Sequence, residues 1–145
     1  MDMFIKHLLF ETPLHPKLVS FPIALLVSAL FLELLSLAAK RESFHQAAMY
    51  VYIMAAFSLP WTALTGLGEA SRLHLNHPVV WTHQNLGLAL TGLVMLSLPV
   101  LWRFRRHPRQ RAIFLLICCA ANGLMTAGAY FGGKLVYEYG IGVHP

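Results

Sequence analysis

Four long apolar runs, separated by three short polar stretches, organise the chain. They cover roughly residues 18–39, 47–68, 85–102 and 112–133. A helix needs about 20 consecutive apolar residues to cross the hydrocarbon core of a bilayer. Each run is close to that length, so the pattern predicts four transmembrane helices. The polar stretches 40–45, 69–82 and 103–111 are short, which makes consecutive helices antiparallel neighbours. The expected fold is all-α: one domain over residues 1–145, an up-down-up-down four-helix membrane bundle. Pro60 interrupts the second run and is expected to kink that helix near Ala56. The first run outlasts the apolar core of a signal peptide and is followed directly by Lys40 and Arg41, as in a membrane anchor. No internal repeat is visible in the sequence.

Composition agrees with the pattern. Of 145 residues, 57% are hydrophobic and 12% charged, against about 45–50% and about 25% in soluble domains. This argues against a water-soluble domain, a disordered chain and a disulfide scaffold, and leaves no room for an extramembrane domain. The net charge of +5 does not point to nucleic acid, because no soluble element carries a basic patch. The only cysteines, Cys118 and Cys119, are helix neighbours pointing in different directions, so a disulfide between them is not expected.

The cations instead read the topology. The first and third loops carry Lys40, Arg41, Arg103, Arg105, Arg106, Arg109 and Arg111, whereas the other side carries Lys6, Lys17, Arg72 and Lys134. Positive loops stay in the cytoplasm, so both termini are expected on the outer side, periplasmic in a Gram-negative cell. Trp81, Trp102, Tyr50, Tyr130 and Tyr137 fall near helix ends, where amphipathic rings prefer the interface.

That topology sorts the eight histidines unevenly. His7, His15, His74, His77, His83 and His144 fall on the outer side, and only His45 and His107 fall in the inner loops. His15 opens the first helix and His83 the third. Bundle cores build cofactor sites from facing helices, and neutral imidazole suits haem iron, zinc and copper. Zinc asks for four N, S or O ligands; this end offers histidines, Glu69 and no cysteine. Haem asks for one or two axial ligands and a flat slot. The leading reading is therefore haem b held by His15 and His83. Small residues Gly128 and Gly132 of the fourth helix would allow close approach, and Arg72, Lys17, Lys134 and Tyr137 would meet the propionates. The competing account of the glycines is plain helix packing. Met54, Met95 and Met125 are alternative axial ligands, and Gln84 and Asn85 would orient a ligand imidazole. A non-haem copper, zinc or iron site would draw on His15 and His83, with His74, His77, His144 and Glu69 as alternates. With only His45 and His107 on the inner side, one haem is expected, not a pair spanning the bilayer.

Two buried polar residues remain. Glu33 shares a helix face with His15, Pro22, Leu26 and Ala29; it is read as a proton or quinone contact or as an interhelical hydrogen bond. Asn122 is expected to make an interhelical hydrogen bond. No nucleophile–base pair, phosphate loop or carboxylate pair marks an enzyme.

Four boxes carry a resemblance. They are Leu14-His15-Pro16-Lys17-Leu18-Val19-Ser20-Phe21-Pro22-Ile23-Ala24-Leu25, Leu64-Thr65-Gly66-Leu67-Gly68-Glu69, His83, and residues 132–143, which read GGKLVYEYGIGV. The chain resembles a bacterial family of predicted four-helix membrane proteins of unknown function, with an HPxxVHFPIAL box in front and a GGxLVYxxGxGV box behind. The resemblance implies the same fold and topology in the bacterial inner membrane. Members joined to c-type cytochrome domains imply redox work, with a c-type cytochrome or a quinone as partner. The family's second histidine is replaced here by Ser20. Read together, the expectation is a small b-type haem protein for electron transfer, as a homo-oligomer or as a subunit of a larger redox complex. The alternatives are a cofactor-free structural or assembly subunit of a respiratory or photosynthetic complex, and a His-rich metal-binding membrane protein.

Overall fold

The computed structural model describes residues 14–105, 107 and 109–141. His7, His144, Lys6 and Arg106 lie outside the described residues. Four helices follow one another: α1 (Leu14–Ala39), α2 (Glu42–Arg72), α3 (Pro78–Phe104) and α4 (Gln110–Tyr137). All four are long and apolar enough to cross a membrane, where a helix satisfies its backbone hydrogen bonds internally. α1 begins and α4 ends at one end of the bundle, called here the terminal end. The opposite, arginine end holds the α1–α2 and α3–α4 connections.

Each helix runs beyond its apolar run at one end or both, most at the start of α3, because helix ends are polar and escape a hydropathy window. At the arginine end, Lys40 turns left-handed (φ 53°) and the Arg41 N–H reaches the Ser36 carbonyl at 3.2 Å. This closes α1 in a Schellman-like turn. The loop is therefore only two residues long, and His45, expected there, lies instead in the first turns of α2, buried. At the terminal end, α3 starts at Pro78, whose missing N–H costs nothing at a first helical position. His77 precedes it as N-cap, its Nδ1 accepting from the Val79 N–H at 3.2 Å. α2 runs as a single helix through Pro60.

Large apolar side chains face outward, among them Phe21, Phe31, Phe57, Leu96 and Leu116, as a lipid environment requires. Inside, Ala29, Ala48, Ala55, Ala56 and Ala121 are fully buried; small residues let membrane helices approach closely. α1 packs mainly on α2, and α3 mainly on α4. The contacts of α2 with α3 and of α1 with α4 are sparser, and the diagonal pairs barely touch. The bundle is thus two tight hairpins with a looser seam between them.

The hairpins repeat one another. Buried Pro22, Leu26, Ala29 and Glu33 of α1 have buried counterparts Leu90, Val94, Ser97 and Leu101 in α3, each 68 residues on. Buried Ala48, Tyr52, Ala55 and Thr62 of α2 have Phe114, Cys118, Ala121 and Gly128 in α4, each 66 residues on. The repeat is parallel, since α1 and α3 run the same way. Residue sizes trade across it: Ala48 answers Phe114, and Tyr52 answers Cys118. The two large rings meet edge to face, with centroids 5.4 Å apart.

Candidate functional site

The seam opens at the terminal end into a cavity of about 370 Å³, lined by all four helices. Ligand pockets commonly span about 300–1,000 Å³. A second cavity of about 90 Å³ continues toward the bundle centre, among Pro22, Leu26, Leu59 and Leu90. His15 and His83 border both. Their ring centroids lie 6.0 Å apart, with planes at 78°.

The two imidazoles are held the same way. His15 Nδ1 lies 2.9 Å from the carbonyl oxygen of Thr62 on α2, and His83 Nδ1 lies 2.9 Å from that of Gly128 on α4. A carbonyl only accepts, so each Nδ1 carries the proton. In a neutral ring that leaves the lone pair on Nε2. Such a bond from the far nitrogen fixes tautomer and ring orientation, which is how proteins prepare a ligand histidine.

Each ring also rests on a glycine one turn beyond its acceptor. A Cβ on Gly66 would come within 2.9 Å of His15 Cε1 and Nδ1, and one on Gly132 within 3.0 Å of His83 Cε1. A methyl at Gly66 would force the His15 ring to shift, and one at Gly132 would require the His83 ring to give by a few tenths of an ångström. Thr62 and Gly66, like Gly128 and Gly132, stand four apart on one helix face. The sequence pointed to Gly128 and Gly132 but assigned no role to Thr62 or Gly66. The hairpin repeat of the folded chain, which pairs 62 with 128 and 66 with 132, brings them out.

The remaining residues fall as follows. Gln84, Glu69 and Tyr137 line the larger cavity, whereas Arg72 and Lys134 do not. Arg72 pairs with Glu69 at 3.2 Å, and Lys134 with Glu138 at 3.4 Å, both on their own helices or just beyond. His74 sits in a left-handed turn (φ 49°), exposed, and His77 is occupied as a helix cap and packs against Tyr139. Neither lines the cavity. Ser20 is exposed and borders neither cavity. Met125 borders the smaller cavity; Met54 and Met95 are exposed. Among the described residues, no three His, Cys, Asp or Glu side chains gather as a metal-binding group.

At the arginine end, Glu33 is fully buried and its Oε2 lies 2.6 Å from His45 Nδ1. His45 Nε2 lies 3.1 Å from Gln110 Oε1 of α4. Glu33 thus faces the bundle core, on the stripe with Pro22, Leu26 and Ala29. Asn122 Nδ2 donates to the Leu26 carbonyl at 3.1 Å, the interhelical bond expected of it.

Comparisons with curated proteins and with solved structures give no match. The profile of one family, described as "Predicted membrane protein (DUF2231)", matches residues 11–145. The chain, a multi-pass membrane protein with four spanning helices, belongs to that family.

Proposed function

We propose that this protein carries one haem b between its two hairpins, with His15 and His83 as axial ligands, and works as a one-electron carrier. The observation that carries the reading is the spacing of the two rings. Two imidazoles binding one ion from opposite sides, at a metal–nitrogen distance of ~2.0 Å, have centroids about 6 Å apart. The separation here is 6.0 Å. Both rings keep their Nδ1 protons on carbonyls, which leaves Nε2 for iron.

The donor set fits haem better than a free ion. Two histidines make an incomplete zinc site, whereas haem iron takes four ligands from its macrocycle and one or two from the protein. The seam offers a slot between hairpins whose mutual contacts are sparse, walled by Ala63, Gly66, Gly87, Ala129 and Gly132. When bound, the group supplies a reversible one-electron couple. The chain fixes the ligand rings, excludes water with an apolar wall and holds the site at the terminal end. The distribution of arginines supports that end facing away from the cytoplasm. A partner there, a c-type cytochrome or a membrane quinone, would exchange the electron, in a homo-oligomer or a larger complex.

The test is optical. The protein purified in mild detergent, with haem supplied during expression, should show a b-type Soret shift and α-band on reduction. His15→Ala and His83→Ala should each remove the six-coordinate spectrum. A folded protein that stays colourless after haem supplementation would contradict the reading.

A further inference from the structure

We propose a second site, at the arginine end: Glu33 and His45 form a buried proton-exchange pair that opens to the surface through Gln110. It does not rest on the haem reading.

An ionisable group inside a membrane bundle is costly and is rarely retained without use. Here two lie in contact. Glu33 and His45 are 0% and 4% exposed, and a 2.6 Å bond joins Oε2 to Nδ1. Gln110 Oε1 faces the other ring nitrogen at 3.1 Å. Nε2 donates to Gln110, and one proton lies along the Oε2···Nδ1 bond. The pair is a carboxyl beside a neutral imidazole or a carboxylate beside an imidazolium, neutral as a unit in either form. Glu33 Oε1 is buried with no hydrogen-bond partner among the described residues, a cost that is higher for a carboxylate than for a protonated carboxyl.

The surroundings suit a proton that leaves and returns. Gln110 is the first residue of α4 and is partly exposed, so Nε2 is the side from which the proton reaches water. Its departure leaves a neutral imidazole beside a carboxylate, a net negative charge. The cation on this side is Arg111 of α4: its guanidinium lies 2.8 Å from Ser36 Oγ, three residues after Glu33, and 3.1 Å from Glu42 Oε2. The other titratable neighbour is the buried thiol of Cys118 on α4, within electrostatic reach of Glu33. α3 places apolar Leu101 at the position equivalent to Glu33. Only the first hairpin therefore carries the acid and base.

The measurement is the protonation state of His45 by 15N nuclear magnetic resonance. It uses the full chain in lipid bilayers, with the signal assigned by its loss in His45→Gln. The expected result is one proton lost from Nε2 across the pH window in which the protein stays folded. Glu33→Gln keeps an acceptor for Nδ1 but removes the negative charge, and Arg111→Gln removes the positive one. The two variants should displace the transition in opposite directions. Invariant ring signals across that window in wild type, or displacement in the same direction by both variants, would overturn the proposal and leave a fixed structural tie.

Discussion

The two ends of the bundle use the same helices to opposite effect. At the terminal end the hairpins match: His15 answers His83, Thr62 answers Gly128, and Gly66 answers Gly132. Each half supplies an imidazole, a carbonyl to orient it and a glycine to seat it. The seam there stays open. At the arginine end the halves differ. Glu33 has Leu101 as its counterpart, and the Glu33–His45 bond joins α1 to α2 within one hairpin. Gln110 then ties that bond to α4. Symmetry therefore marks where a shared ligand would lie between the halves, and its loss marks a site belonging to one half. A single central ligand can draw matching contributions from both sides, whereas a proton pair needs an acid and a base side by side.

The comparison can be broken in graded ways. The largest effect should come from His15→Ala or His83→Ala. Either alone should abolish the bis-histidine absorption spectrum, and the equality of the two losses is the signature of shared ligation. Next, Glu33→Leu leaves His45 buried without its acid. Breaking a buried pair costs about 3–5 kcal/mol, which a denaturant titration in bicelles should register while the haem spectrum survives. A spectral loss as large as that of His83→Ala would show that the two ends are not separable.

Smaller effects probe the ring seats. Gly66→Ala and Gly132→Ala insert a methyl against an imidazole held by its Nδ1 bond, and overpacking costs about 1–3 kcal/mol. Where the strain is relieved by moving the ring off its Nδ1 bond, haem titration should read weaker binding, more so for Gly66→Ala, whose contact is the closer. Gly68→Ala, with open space around its Cβ position, should leave affinity unchanged. Asn122→Ala removes a bond to the Leu26 carbonyl; such interhelical bonds average about 0.6 kcal/mol in a membrane. Smallest should be Arg72→Ala and Lys134→Ala. Neither cation lines the cavity, and each is held by a carboxylate of its own segment; exposed pairs of this kind contribute little. A large loss of haem affinity in either would show that they turn to meet the propionates.

The fold was legible because apolar length is a strong signal in a membrane chain, and four runs with short links admit few arrangements. The helix ends were not. Pro78 to Gln84 and Glu42 to His45 are polar enough to read as loop, yet a Pro at the first helical position and a left-handed Lys40 decide otherwise. Moving His45 from loop to helix is what brings it to Glu33. Of the site, the two histidines were readable from their places at the mouths of two helices that run the same way. Thr62 and Gly66 were not: a carbonyl acceptor leaves no trace in side-chain chemistry, and a glycine in a helix resembles ordinary packing. The repeat was hidden because its counterparts differ in type. Tyr52 answers Cys118, and Ala48 answers Phe114, so burial is shared while identity is not.

The most direct test of the central claim is low-temperature electron paramagnetic resonance of the oxidised, haem-loaded protein. Ligation by His15 and His83 with ring planes near perpendicular, 78° apart, predicts a low-spin ferric signal of strong anisotropy, lost in both His15→Ala and His83→Ala. A high-spin ferric signal in the wild type, or a low-spin signal that survives either substitution, would contradict the account.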